Sequence, residues 1–125
     1  MKITIEIGMG ELVDKYTILA IKMKKIKDQA KLQNVKKEYE YVNSILEKIE
    51  DKDGIFELVE ELYFINDELW EIEDDLRTLE KIQDFGGNFI YAARQVYRLN
   101  DKRADIKKQI NLLYNSEFIE EKSYE

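Results

Sequence analysis

The sequence contains no cysteine, no histidine and no proline. Without cysteine the chain has neither disulfide bonds nor a thiolate nucleophile, which fits a reducing compartment. Without histidine it lacks the usual proton shuttle near neutral pH, and zinc loses both of its preferred ligand types. These absences argue against the commonest nucleophilic and zinc-dependent enzyme mechanisms.

Long apolar runs are also missing, since none approaches the roughly 18–20 residues of a membrane span. The 125 residues include 20 Lys and Arg against 27 Asp and Glu, a net charge of -7. Nucleic acids and anionic membranes require a basic surface, so neither is an expected partner. Because 44% of the residues are hydrophobic, a disordered chain is not expected either. We expect one folded cytoplasmic domain spanning residues 1–125.

Apolar residues recur at alternating intervals of three and four, which is typical of amphipathic helices. Four such stripes follow one another: Leu12, Tyr16, Leu19, Met23 and Ile26; Leu32, Val35, Tyr39, Val42, Leu46 and Ile49; Leu58, Leu62, Ile65, Leu69, Ile72, Leu76 and Leu79; and Phe85, Phe89, Ala92, Val96, Leu99, Arg103, Ile106, Ile110 and Leu113. Turn residues separate them at 51–54 and 86–88, with Asn88 as the expected N-cap of the fourth helix. Asp28 is the expected cap of the second. The sequence predicts an all-α fold of four antiparallel helices, two shorter and two longer.

The chain ends show a different pattern. Residues 2–7 alternate polar and apolar side chains, which predicts a strand. Residues 117–120 could pair with it as a short β-ribbon, although two strands alone are only marginally stable.

The helix lengths carry a further expectation. At about 1.5 Å per residue, the third and fourth helices would extend roughly 40 Å, and the first two roughly 25–30 Å. The longer pair would overhang the shorter pair by about 15 Å, with Phe85, Phe89 and neighbouring Leu and Ile near one end. A second copy of the chain is the simplest cover for this apolar surface, so we expect a homodimer.

Several short stretches, in order along nearly the whole chain, carry a family resemblance. They are residues 10–15, 17–19, 69–75, 84–86, 100–103 and 120–124. Together they resemble a family of short bacterial and phage proteins of unknown function, DUF6165. The resemblance implies a single intracellular domain but no reaction, substrate or catalytic residue. Gly87 stands where the family pattern has proline, which implies a looser turn.

Paired carboxylates suggest one enzymatic alternative. Glu47 with Glu50, and Glu71 with Asp74, resemble the acidic motifs of all-helical nucleotide pyrophosphohydrolases, which hold magnesium between helices. At 100° per residue, however, Glu71 and Asp74 point away from the apolar stripe of their helix. A solvated acidic face is therefore favoured, and the magnesium-dependent hydrolase is kept as an alternative.

A glycine-rich turn supplies a second alternative. Gly86, Gly87 and Asn88 precede the fourth helix, and Arg94 follows within two turns. A helix N-terminus attracts anions through its free N–H groups and dipole. Such turns are usually only helix breaks, so binding and sequestration of a small anion or nucleotide is the lesser interpretation.

Arg103 is the only charged residue on an otherwise apolar stripe. A buried guanidinium needs a partner, because an unpaired buried charge costs several kcal/mol. Glu73 on the third helix is the predicted partner, and Asp14 on the first helix is the alternative.

A second stripe on the third helix mixes aromatic and polar residues. Its members are Tyr63, Asn66, Trp70, Glu73 and Arg77. It lies about 60–140° around the helix from the core stripe, a composition and position suited to an interface or pocket. Alternatively, Tyr63 and Trp70 only widen the core. We expect a non-enzymatic binding protein that uses this stripe for itself, a protein partner or a small polar ligand.

Overall fold

The computed structural model describes residues 1–116 and contains four helices in that range. They are α1 (Met9–Lys25), α2 (Gln29–Leu46), α3 (Ile55–Lys81) and α4 (Gly87–Leu113). The first two have 17 and 18 residues, and the last two have 27 each. The prediction of an all-α fold with two shorter and two longer helices is therefore confirmed.

The helix boundaries follow local chemistry. Asp28 caps α2, since its carboxylate accepts from the Lys31 N–H at 3.0 Å, as predicted. Gly54 precedes α3 with φ of 92°, a left-handed conformation that glycine adopts without a steric penalty. The prediction for Asn88 is wrong: Gly86 is the N-cap of α4. The Asp84 carboxylate accepts from the Gly86 N–H at 3.0 Å and so organises this turn instead.

The predicted strand over residues 2–7 is also wrong, because residues 1–8 adopt no regular secondary structure. Ile3 and Ile5 are 77% and 73% exposed. Alternation alone does not make a strand where the described chain offers no neighbouring strand to pair with. Residues 117–120, its predicted partner, lie outside the described residues.

The helices form layers with α1 in the middle. α1 packs against all three other helices and α3 packs along α4, whereas the backbone of α2 approaches that of α1 alone. One core cluster joins α1, α3 and α4: Val13, Ile55, Leu62, Ile106 and Ile110. A second joins α1 to α2: Leu12, Leu19 and Val42. The described helices thus stack as α2, then α1, then the α3–α4 pair.

The long helices extend well past the end of α1. Lys25, the last residue of α1, lies 3.0 Å from Asp67 and also contacts Glu71. The segment beyond this level, residues 72–98, is called the distal hairpin here. Neither core cluster includes any of its residues. Five large apolar side chains on it are between 51% and 67% exposed: Ile82, Phe85, Ile90, Tyr91 and Tyr97. The predicted overhang is present.

Candidate functional site

A buried carboxylate on α1 ties α1 to both long helices. Asp14 is 2% exposed. Its Oδ1 accepts from Arg103 Nε and from Asn66 Nδ2, each at 3.0 Å, and its Oδ2 accepts from Arg103 Nη2 at 2.5 Å. Arg103 therefore grips both oxygens of Asp14, the fork geometry that makes such pairs strong.

The prediction that Glu73 is the partner of Arg103 is wrong. Glu73 is exposed, because it lies two turns beyond Asn66, the α3 residue that shares Asp14 with Arg103. α1 supplies the carboxylate at this level, so the alternative, Asp14, is the partner. Helical phase could place Arg103 on an inner face but could not decide which helix comes to meet it.

Further polar groups surround the Asp14–Arg103 pair. Lys107 Nζ lies 2.8 Å from Glu11 Oε2 and 3.8 Å from Asp14 Oδ2. Thr17 Oγ1 donates to the Asp14 carbonyl at 2.8 Å and accepts from Asn66 Nδ2 at 2.9 Å. We call this set the Asp14 cluster: Glu11, Asp14, Thr17, Asn66, Arg103 and Lys107. It contains two carboxylates and two cations, so its formal charges balance.

The surroundings hold the Asp14 carboxyl in its ionised form. Burial by itself raises the pKa of Asp14, but the hydrogen bonds from Arg103 and Asn66 and the charges of Arg103 and Lys107 outweigh it. The net pKa lies below the ordinary value of 3.8. A carboxylate that is ionised and bonded on both oxygens is unsuited to acid catalysis near neutral pH. The cluster's geometry is that of a tie between three helices.

The N-terminus of α1 approaches α4 unusually closely beside this cluster. The Gly10 N–H donates to Asn111 Oδ1 at 2.7 Å. A Cβ at position 10 would lie 2.4 Å from the Lys107 carbonyl oxygen, so only glycine fits here. Sequence reasoning missed Gly10, Glu11, Lys107 and Asn111. A usable signal was present, because residues 10–15 and 100–103, which carry the family resemblance, meet at this cluster.

A comparison with models of known protein families agrees with the resemblance carried by these stretches. The family described as "Family of unknown function (DUF6165)" matches residues 1–125. The chain belongs to this family. No curated protein and no solved structure matches it. Within the described residues of this DUF6165 member, no helix is both long and apolar enough to cross a bilayer.

The mixed stripe on α3 is divided by the end of α1. Asn66 is buried in the Asp14 cluster, and Tyr63 and Trp70 are half-buried. Glu73 and Arg77 are exposed, and Arg77 Nη1 lies 3.6 Å from Asp74, a loose surface ion pair. Glu73 and Arg77 are therefore the members of the stripe most available for contact with another molecule, and Asn66 is not available.

One carboxylate of each acidic pair is bonded to a nearby side chain. The Glu71 carboxylate bonds Lys25, and Glu47 Oε1 accepts from Asn43 Nδ2 at 3.1 Å. Among residues 1–116, no group of three or more side chains of metal-binding type is assembled. The described geometry gives the magnesium alternative no support.

The glycine turn has a hydrogen-bond acceptor from its own chain. Gly86, Gly87 and Asn88 are exposed, and the Asp84 carboxylate already takes the Gly86 N–H. Arg94 lies beside Tyr97, whose pKa is held below its usual value by Arg98 first and then by Arg94. Among the described side chains, no contact therefore joins Arg94 to the glycine turn. An anion at this turn would have to compete with Asp84.

Proposed function

We propose that this protein is a non-enzymatic interaction protein that works by binding a second copy of itself through the α3–α4 hairpin. The observation that supports the proposal is the distal hairpin. It exposes five large apolar side chains, and no described helix covers it. A concentration of exposed large apolar side chains of this kind suggests an interaction surface rather than an ordinary free surface.

The size of the patch is adequate for an interface core. The five side chains are more than half exposed, and three of them are aromatic, a class whose members each bury roughly 150–250 Å² when covered. Together they would contribute on the order of 500 Å² per copy, against the about 800 Å² per partner of a standard interface. Flanking polar residues of both long helices supply the remaining area as a rim.

The distal part of the mixed stripe extends this proposal. Trp70 offers a ring face at the level where α1 ends, and Glu73 and Arg77 offer a carboxylate and a guanidinium just past it. Trp and Arg dominate binding energy at many interfaces. We assign this part to a small polar ligand or a protein partner that binds beside the self-association surface.

Tyr91→Asp tests the self-association. Light scattering of the wild-type chain at micromolar concentration is expected to give twice the 15.0 kDa mass of one chain. A carboxylate buried in the interface without a partner is costly, so Tyr91→Asp should weaken dimerisation by at least about tenfold.

Tyr41→Asp is the matched control, because Tyr41 on α2 is 67% exposed, the same fraction as Tyr91. It should leave the dimer intact. A wild-type mass of 15.0 kDa that does not change with concentration would refute the proposal.

An activity assay separates this proposal from the magnesium-dependent hydrolase. We expect no turnover of nucleoside triphosphates in the presence of magnesium, since the acidic pairs bond Lys25 and Asn43 rather than each other. Turnover that is present in the wild type and abolished by Glu71→Gln would replace the binding protein with the enzyme. Unaltered trace turnover in that variant would indicate a contaminant.

A further inference from the structure

One broad face of the α3–α4 pair has no described helix on it. α1 contacts both long helices, and the backbone of α2 approaches only that of α1, so both short helices lie on the same side. The opposite side carries a shallow groove of about 660 Å³ between α3 and α4. We call this side the open face; its lining residues include Glu61, Phe64, Ile65, Asp101, Lys102 and Ile106. Phe64 is 55% exposed there.

The two helices of the open face carry opposite charge. α3 contains ten acidic and two basic residues, whereas α4 contains six basic and two acidic residues. Glu68 and Asp75 follow Glu61 at intervals of seven residues, so they share its side of α3. On α4, Arg98 lies one turn before Lys102, and Arg94 lies two turns before Asp101. All four of these additional residues are exposed.

The opposite charges lie at the same level without pairing inside one chain. Asn66 and Arg103 are level with each other, because both bond Asp14. Nine residues further towards the turn, α3 reaches Asp75 and α4 reaches Arg94. Among the described residues, no ion pair joins either arginine on this part of α4 to a carboxylate. Both arginines lie near Tyr97 instead: the Arg98 Cζ is 5.9 Å from its ring centroid, and both guanidinium groups lower the pKa of its hydroxyl, Arg98 more than Arg94.

We propose that the partner on this face is a second copy of the chain, with α3 of each copy lying over α4 of the other. This inference rests on the proposed self-association and specifies its geometry. A two-fold axis parallel to the helices produces this pairing and keeps equal levels opposite one another. A two-fold axis across the helices would instead lay α3 on α3, placing two strongly acidic helices together, which like-charge repulsion opposes.

The chosen axis makes specific contacts. Arg94 and Arg98 face Asp75 and Glu68 of the partner subunit, and the contact is isologous, so each pair occurs twice. The Phe64 rings and the apolar floor of the groove become the centre of a four-helix bundle. Both turns point the same way, so the exposed Ile82 and Phe85 side chains of the two copies meet at one end.

Charge reversal tests this pairing. One variant carries Glu68→Lys and Asp75→Lys, a second carries Arg94→Glu and Arg98→Glu, and a third carries all four changes. Each double variant should self-associate at least about tenfold more weakly in sedimentation equilibrium, because attractive contacts become repulsive. The quadruple variant should regain most of the wild-type affinity for self-association. The two double variants should form a heterodimer when mixed.

Mixing with the wild type decides between the two axes. If α3 lies over α4 of the partner subunit, a mixed dimer of the quadruple variant and the wild type places like charges opposite each other. The two proteins should then not exchange subunits in native mass spectrometry. If α3 lies on α3, the same mixture opposes unlike charges and forms heterodimers readily. Heterodimers of this kind would overturn the inference and leave the proposed function standing, whereas a monomeric wild type would overturn both.

Matched controls come from α2, which lies away from the open face. Glu38→Lys with Glu40→Lys, and Lys36→Glu with Lys37→Glu, make the same changes of net charge at exposed positions. They should leave self-association unchanged, and an effect equal to that of the α3 or α4 variants would contradict the geometry. Far-UV circular dichroism checks folding; should a reversal unfold the chain, Asp75→Asn and Arg94→Gln apply the same test with smaller expected shifts.

Discussion

Asp14→Ala is expected to lower the free energy of unfolding by about 3–5 kcal/mol, the usual cost of removing one partner of a buried ion pair. Asp14 is 2% exposed and accepts hydrogen bonds from Arg103 and Asn66 on both long helices. Its removal would leave the Arg103 guanidinium and the Asn66 amide without this acceptor and would weaken the attachment of α1 to α3 and α4. Urea denaturation at one fixed protein concentration measures the loss, because self-association would make the measured stability depend on concentration.

Glu73→Ala is the control for Asp14→Ala. Glu73 is an exposed residue of α3, and truncations of that kind usually change stability by no more than about 0.5 kcal/mol. Equal unfolding midpoints for the two variants would show that the Asp14 cluster does not hold the helices together.

The contribution of Asp14 also has a defined pH dependence. Its pKa in the folded chain is below the ordinary value of 3.8. The contribution is therefore fully present well above that value and is lost as the pH falls through the lower, folded-state pKa. The stability difference between the wild type and Asp14→Asn should shrink on acidification. A difference that grows towards low pH would contradict the assignment.

Gly10→Ala should destabilise the fold by about 1–3 kcal/mol, the range for overpacking a filled site. The new methyl would lie 2.4 Å from the Lys107 carbonyl oxygen, which belongs to helix backbone and cannot rotate away. Relief requires α1 to move from α4, which lengthens the 2.7 Å bond between the Gly10 N–H and Asn111. Thermal unfolding followed by circular dichroism measures the effect.

Gly87→Ala provides the comparison for Gly10→Ala. A Cβ at position 87 meets nothing within 4 Å, and alanine restricts the unfolded chain more than glycine does. This variant should be neutral or slightly more stable. The idea of a close approach at position 10 would fail if both alanine variants unfolded at the same temperature.

The fold was predictable because its signals are local. Periodicity placed the helices, and the Asp28 cap and the Gly54 turn placed two of their boundaries. The N-cap of α4 was mispredicted because the helix begins at Gly87, before Asn88, after a turn in which the Asp84 carboxylate accepts from the Gly86 N–H. The strand failed because alternation in residues 2–7 describes side chains and says nothing of a pairing neighbour.

The candidate site was harder to predict because it depends on contacts between distant residues. Asp14 and Arg103 are 89 positions apart, and no periodicity links them. The stripe analysis singled out Asn66 and Arg103, and both bond Asp14 in the structure. It could not foresee that α1 ends before Glu73 and Arg77, leaving them exposed while Asn66 is buried.

The attachment of α2 has a consequence for the order in which the molecule opens. Its backbone approaches α1 alone, and Val42 is its one buried residue. Amide hydrogens of α2 should therefore exchange with deuterium through local opening, before those of α3 and α4 exchange through global unfolding. Such opening leaves the α3–α4 pair untouched, so α2 can open, or be cut by a protease, without disturbing the proposed self-association surface.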